Sequence, residues 1–206
     1  MPPDIRFAAT PAAVFLLALL VLVHVCVFAD AVLAQRAEFK PAQGHTDGAR
    51  AVPQIRYGTQ GLPAPVVDMR GAILAAVRSG RIEDLRTAVE LNEMKPAIAD
   101  TAVGDPIAHW RQVSADGEGR EILGVLGRIL DAGYVTLPIG RDIENNRVYV
   151  WPYFAEMAPG KLTPGQEAEL LRIVSAEMLQ DMKTAGRYTF YKLGIGADGT
   201  WHFFLR

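Results

Sequence analysis

Apolar residues recur at helical spacing from Met69 to Gly133, and this spacing predicts about four helices. The first is predicted to be capped by Asp68 and closed by Gly80, since a carboxylate suits a helix start and glycine a helix end. Asp105 followed by Pro106 predicts the start of a later, shorter helix. The other two helices carry the apolar sets Ile82, Leu85, Val89 and Ile122, Leu123, Val125, Leu126, Ile129, Leu130.

The apolar period shortens after Gly133, which predicts strands over residues 134–138 and 147–151 with a turn at 141–146. Thr163-Pro164 with Gln166 predicts a capped helix that continues to Gly186. The last stretch, 188–206, alternates around Asp198-Gly199, a dipeptide typical of two-residue hairpin turns. The pattern therefore predicts an α+β fold, with a helical half followed by a small antiparallel sheet, a packed helix and a C-terminal β-hairpin.

The N-terminus has the order of a secretory leader. Arg6 precedes an apolar run from Ala12 to Ala29, and small residues follow it. We expect cleavage after Ala34, with Ala31 as the alternative. The apolar run is also close to the length of a membrane-spanning helix, so an uncleaved inner-membrane anchor stays open. The expected location is the periplasm or the medium.

Residues 35–68 carry repeated proline and glycine and no apolar period. This composition predicts a disordered linker between the leader, 1–34, and a single α+β domain, 69–206. The domain divides into a helical part, 69–133, and a mixed part, 134–206.

Charge and cysteine content exclude several classes of protein. The full chain has 21 basic and 23 acidic residues, and cleavage after Ala34 would leave 20 basic and 21 acidic residues. The basic residues form no block, so we expect no nucleic-acid partner. The only cysteine, Cys26, lies in the leader. The mature chain therefore has neither disulfides nor thiolate metal sites.

Histidines offer the only acid–base chemistry that the sequence suggests. His109, near Asp116 and Glu121, could form a general acid–base group, and His202 lies on the last strand. A polar loop and a surface histidine explain the same residues without chemistry. None of the histidines has metal-ligand spacing, so we expect neither a metal nor a cofactor.

Aromatic residues make the hairpin unusual. Simple alternation places Trp201, Phe203 and Leu205 on one face of the last strand and His202 and Phe204 on the other. Both faces are therefore apolar, and the second needs cover from the helical half, a partner chain or a ligand. The ligand alternative predicts a sheet-lined pocket formed by Trp151, Tyr153, Tyr191, Trp201, His202 and Phe204.

A weak repeat runs through the helical half, where similar stretches begin at Ile73 and Ile107. The stretch "DPIAHW" is similar to the start of an ankyrin repeat. That resemblance implies a protein-interaction surface, whereas two ordinary helical hairpins are the alternative.

Three segments carry a second resemblance: "YVWPYFAEM", "LTPGQEAELLRIV" and "GRYTFYKLGIGADGTWHFFL". The second half resembles a group of uncharacterised exported proteins of Gram-negative, alphaproteobacterial bacteria. This resemblance implies a location but no mechanism. The ending "DGTWHFF" is also similar to the last strand of domains like nuclear transport factor 2, which implies a sheet-lined pocket but no catalytic residue.

These observations predict a non-catalytic binding or cell-envelope interaction module with an unknown protein or small-molecule partner. Contact with the membrane is expected only through an uncleaved leader. The alternatives are a small periplasmic hydrolase or ligand-binding domain that uses His109 or His202, and an ankyrin-like helical interaction surface.

Overall fold

The computed structural model describes residues 54–99, 103–138 and 146–206. The predicted leader and the linker up to residue 53 lie outside these residues, as does most of the turn predicted at 141–146. The described part is α+β. Its helices lie mainly in the N-terminal half of the chain, and the strands of a four-stranded antiparallel sheet come later in the chain. This confirms the predicted fold class.

The elements follow one another in the order that the hydrophobic pattern predicts. The helices are α1 (Ala64–Ser79), α2 (Leu85–Glu90), α3 (Pro106–Val113), α4 (Arg120–Asp131), α5 (Pro164–Leu170) and α6 (Ala176–Ala185). The strands are β1 (Val135–Pro138), β2 (Arg147–Trp151), β3 (Lys192–Gly196) and β4 (Trp201–Leu205). Short 3-10 turns cover Ile82–Asp84, Tyr153–Glu156 and Pro159–Lys161.

Local signals place several helix ends correctly. The Asp105 carboxylate accepts a hydrogen bond from the backbone N–H of Ile107 at 3.0 Å and so caps α3. Thr163 and Gln166 form the full capping box of α5. Gly80 and Gly186 end α1 and α6 with positive φ angles of 68° each, a conformation that costs glycine little because it has no Cβ.

The predicted start of the first helix is wrong. α1 begins at Ala64 with Pro63 at its N-cap, and Asp68 lies within the helix. Pro65 is accommodated because the first turn of a helix does not use its backbone N–H groups. Residues 54–68, which the sequence placed in the linker, therefore contain regular structure: a backbone bridge from Arg56 to Tyr134 and the first turns of α1.

The single helix predicted after Thr163 is two helices. α5 ends at Leu170, and α6 begins again after Ser175, whose hydroxyl accepts a hydrogen bond from the N–H of Met178 at 3.2 Å. Serine is a favoured N-cap because its side chain replaces the missing backbone acceptor. The apolar period continues through this cap, so periodicity alone did not show the break.

The sheet has the order β1-β2-β3-β4, with all neighbours antiparallel. The predicted C-terminal hairpin is confirmed as β3–β4, although β3 begins at Lys192 rather than at Tyr188. Backbone bridges lie at both edges of the sheet: Tyr134, just before β1, pairs with Arg56, and Phe203 of β4 pairs in parallel with Ala97. Such bridges limit pairing with other chains.

Candidate functional site

The structure places most of the predicted pocket residues inside the core. Trp151, Tyr153, Trp201 and Phe204 are at most 1% exposed, Tyr191 is half-buried, and only His202 is exposed. The indole N–H of Trp201 already donates to the carbonyl of Phe203 at 3.1 Å. These four buried side chains therefore present no surface to a ligand.

A β-bulge changes the faces of the last strand. Ile195 pairs with Trp201, but its neighbour Gly194 pairs with Phe203, so His202 is an extra residue opposite the β3 strand. Trp201 and Phe204 consequently point to the same face. The predicted division, with Trp201, Phe203 and Leu205 opposite His202 and Phe204, is wrong because simple alternation fails at the bulge.

Trp110 of α3 covers this face of the hairpin. Its ring stacks on Trp201 with a centroid distance of 5.6 Å and an interplanar angle of 21°. It also meets Phe204 edge-on at 6.0 Å, while Tyr191 stacks on Phe204 at 5.0 Å. The helical half therefore covers this face of the hairpin. It is one of the three alternatives that the sequence left open.

His202 lies at the turn end of the hairpin, close to Gly196 and Asp198. A Cβ on Gly196 would lie 2.6 Å from both His202 Nε2 and Asp198 Oδ1. The carboxylate is engaged by Thr200, whose backbone N–H and hydroxyl donate to it at 2.9 and 3.0 Å. The Thr200 backbone N–H is the main cause that lowers the pKa of Asp198. Among the described residues, no hydrogen bond joins His202 to this carboxylate.

The sequence suggested an acid–base group of His109, Asp116 and Glu121. In the structure the two carboxylates belong to a capping loop. Asp116 accepts hydrogen bonds from the Ser114 hydroxyl at 2.6 Å and from the backbone N–H groups of Glu118, Gly119 and Arg120 at 2.9–3.0 Å. The Ser114 hydroxyl, followed by these N–H groups, lowers the pKa of Asp116 to about 2.

Glu121 completes the same loop, since its carboxylate accepts the backbone N–H of Ala115 at 2.7 Å. His109 is half-buried on α3, and within the described part of the chain no hydrogen bond links it to either carboxylate. Both acids serve the start of α4.

A cluster that sequence reasoning missed joins Tyr57, Tyr153 and Glu169. Both tyrosine hydroxyls donate to Glu169 Oε2, at 2.9 Å from Tyr57 and 3.0 Å from Tyr153. Burial, together with the carboxylate, raises the pKa of both tyrosines. Gly133 lies beneath both rings, and a Cβ there would come within 3.0 Å of each. The cluster fastens residues 54–57 to the domain, and no sequence signal connects residues so far apart.

Sequence reasoning also missed a cleft at the outer edge of β1. Its volume is about 360 Å³, within the range of small-molecule sites. We call it the β1-edge cleft. Residues 54–61, β1 and the start of β2 supply its lining: Gln54, Arg56, Gly61, Thr136, Leu137, Pro138, Arg147 and Tyr149.

The sheet register explains why these polar groups converge. Thr136 pairs with Tyr149 and Pro138 with Arg147 on neighbouring antiparallel strands. Arg56 reaches the same place through its backbone bridge to Tyr134. The alternation of residues 147–151 was visible in the sequence, but the contribution of residues 54–61 was hidden by their linker-like composition.

The described residues contain no group of three or more His, Cys, Asp or Glu side chains that could hold a metal ion. None of their helices is both long and apolar enough to cross a membrane. Comparison with known proteins gives no match to a family model, to a curated protein or to a solved structure. All three sequence resemblances stay predictions.

Proposed function

We propose that this protein is an exported, non-catalytic binding module and that its ligand site is the β1-edge cleft. One observation carries the proposal. Tyr149 is 5% exposed, yet it lines the cleft, and its hydroxyl has no hydrogen-bond partner among the described residues. A phenolic hydroxyl that lines a cleft and is not engaged by the described residues is available to donate a hydrogen bond to a ligand atom.

The position of the cleft supports the same function. Two of its walls are paired β-strands, which hold polar groups more rigidly than loops do. The predicted leader would deliver the domain to the cell envelope, where a binding module could meet a soluble ligand or a partner. A hydrolase would instead require a second titratable group bonded to His109 or His202, and no such bond exists within residues 54–99, 103–138 and 146–206.

The test is a fragment screen of the purified protein by two-dimensional NMR. Binders are expected to shift the amide signals of Gly61, Thr136 and Tyr149. Thr136→Trp, which would fill the cleft from a half-buried edge position, should abolish those shifts. Val113→Trp, at an exposed position of α3, is the matched control and should preserve the shifts. A screen without cleft binders, or binders that ignore Thr136→Trp, would refute the proposed function.

A second candidate function is protein interaction through the helical half. Leu91 and Met94, in the loop after α2, are 63% and 77% exposed, which is unusual for large apolar side chains. Exposed apolar residues that cluster on a surface often mark interaction sites. A photo-crosslinking residue at Met94 should capture one discrete envelope protein, whereas the same residue at exposed Glu177 should not. Equal labelling at both positions would contradict this candidate.

A further inference from the structure

The charged residues that line the β1-edge cleft are all positive. Arg56 and Arg147 are its charged lining residues, and neither aspartate nor glutamate contributes to the described lining. Gln54 and Thr136 add side chains that can donate hydrogen bonds. The wall therefore offers several donors and two positive charges to whatever occupies the cleft.

Among residues 54–99, 103–138 and 146–206, no carboxylate pairs with either arginine of the cleft. Arg56 donates to the side-chain oxygen of Gln54 at 2.9 Å. Neither Arg56 nor Arg147 takes part in an ion pair between described residues. Guanidinium stays charged at all physiological pH values, so Arg56 and Arg147 each bring a positive charge to the described lining of the cleft.

A second cleft on the same domain is also lined by arginines, and each of them has a carboxylate partner. Its volume is about 300 Å³, and three arginines line it: Arg81, Arg111 and Arg120. Each one is paired with a carboxylate of its own, Asp84, Glu83 and Glu118 respectively. The arginines of the second cleft are thus paired with carboxylates, whereas those of the β1-edge cleft have no ion-pair partner among the described residues.

Tyr149 supplies the part of the site that is built into the core. Its ring packs edge-on against Tyr134 at 6.0 Å, and its backbone lies between β1 and β3. Its hydroxyl can donate to an oxygen atom held between the guanidinium groups. A neutral donor on a strand of the sheet, in a cleft that two guanidinium groups also line, is well suited to an oxyanion.

We propose that the β1-edge cleft binds a small dianion, recognised through its carboxylate or phosphate oxygens. Guanidinium groups match both oxyanions with paired N–H donors, and this shared chemistry defines the ligand class. The inference rests on the proposed function, because it assigns the ligand class of the same cleft. The volume admits a free small molecule or the anionic end group of a larger one.

The test is calorimetric titration of the purified protein at low ionic strength with three probes: inorganic phosphate, succinate and the neutral analogue succinamide. At least one of the two anions should bind, and succinamide should not. Arg56→Gln and Arg147→Gln should each weaken binding by about tenfold or more, since each removes a charge-assisted hydrogen bond. Raising the salt concentration should weaken binding as well.

Two further variants separate a site from general surface charge. Tyr149→Phe should weaken anion binding several-fold without lowering stability, because the lost hydroxyl has no partner in the described structure. Arg111→Gln removes the same charge from the second cleft and should leave binding unchanged. An equal loss in Arg111→Gln, or no effect of Tyr149→Phe on affinity, would overturn the inference.

The outcomes also distinguish the inference from the proposed function. Succinamide binding as tightly as succinate, with shifts at Thr136 and Tyr149, would refute the anion specificity and leave the binding module intact. If neither anion binds while neutral fragments occupy the cleft, the anion specificity is likewise refuted and the binding module stands. Failure of every fragment and every anion would refute both. Phosphate binding without succinate binding, or the reverse, would identify which oxyanion the cleft takes.

Discussion

Gly194 shows how one missing side chain shapes the sheet. The Phe203 ring lies over it, so a Cβ on Gly194 would come 2.4 Å from two ring carbons. Gly194→Ala would force the ring or the strand to move, and we expect a loss of about 1–3 kcal/mol in the free energy of unfolding. Urea denaturation followed by circular dichroism measures this change.

Gly71→Ala is the matched control for that variant. Gly71 lies on the exposed side of α1, where a Cβ would meet no atom within 4 Å. The substitution should stabilise the protein by about 0.5–1 kcal/mol, because alanine favours the helix. If Gly194→Ala were equally harmless, the close contact with Phe203 would not constrain the strand.

Asp116 gives the capping loop a dependence on pH. Its pKa is lowered from 3.8 to about 2 in the folded protein. A depressed pKa contributes stability that is present above the ordinary value and is lost as the pH falls through the folded value. Asp116→Ala should therefore lower Tm near neutral pH, and the difference from the wild type should shrink as the pH approaches about 2.

Differential scanning calorimetry over that pH range checks the prediction. Asp181→Ala is the control, since Asp181 is exposed on α6 and makes no hydrogen bond with described residues. It should change Tm little at any pH. A deficit in Asp116→Ala that stayed constant down to acid pH would rule out the carboxylate as the source of the effect.

At the scale of elements, α3 is attached to the hairpin through Trp110. This residue is 1% exposed and contacts both Trp201 and Phe204. Trp110→Ala would leave a large cavity between the two halves, and we expect a loss of about 3–5 kcal/mol. Near-ultraviolet circular dichroism should weaken because the substitution removes one indole of the Trp110–Trp201 stack.

Val113→Ala tests whether the effect belongs to that interface or to α3 as a helix. Val113 lies on the same helix but is 48% exposed. Its replacement by a better helix former should change the free energy of unfolding by less than about 0.5 kcal/mol. Similar losses in both variants would mean that helix propensity, rather than the indole stack, holds α3 in place.

Elements differ in how well the sequence predicted them. Caps such as Asp105, Thr163 and Gly186 act within one turn, so their residue types alone mark the helix ends. The break at Ser175 and the start of α1 were misassigned because serine and proline are compatible with more than one local structure. The bulge at His202 has no local signature, since it depends on pairing with β3.

For the whole molecule, we expect stability to fall in alkali because of two tyrosines, buried Tyr153 and half-buried Tyr188. Burial raises the pKa of Tyr188 and Tyr153 above the ordinary 10.0, and Glu169 adds to the rise at Tyr153. A raised pKa means that the folded state holds the proton more tightly. The resulting stability is present below pH 10.0 and is lost as the pH rises above it.

Urea midpoints measured from about pH 7 to about pH 11 check this behaviour. Tyr188 donates to the carbonyl of Tyr191 at 2.9 Å, so Tyr188→Phe should cost about 1 kcal/mol at neutral pH and flatten the alkaline decline. Phe190→Leu removes no ionisable group and should lower the midpoint equally at each pH. An unchanged decline in Tyr188→Phe would contradict the assignment.

The sequence by itself determined the α+β class, the order of the elements, the hairpin turn and several caps. It could do so because hydrophobic periodicity and capping act over a few residues. Only the tertiary structure decided that Trp201 and Phe204 share a face beneath Trp110, and that residues 54–61 belong to the domain. It alone brought Arg56, Arg147 and Tyr149 to one cleft. Those outcomes depend on strand register and on contacts between residues distant in the chain, which local patterns do not encode.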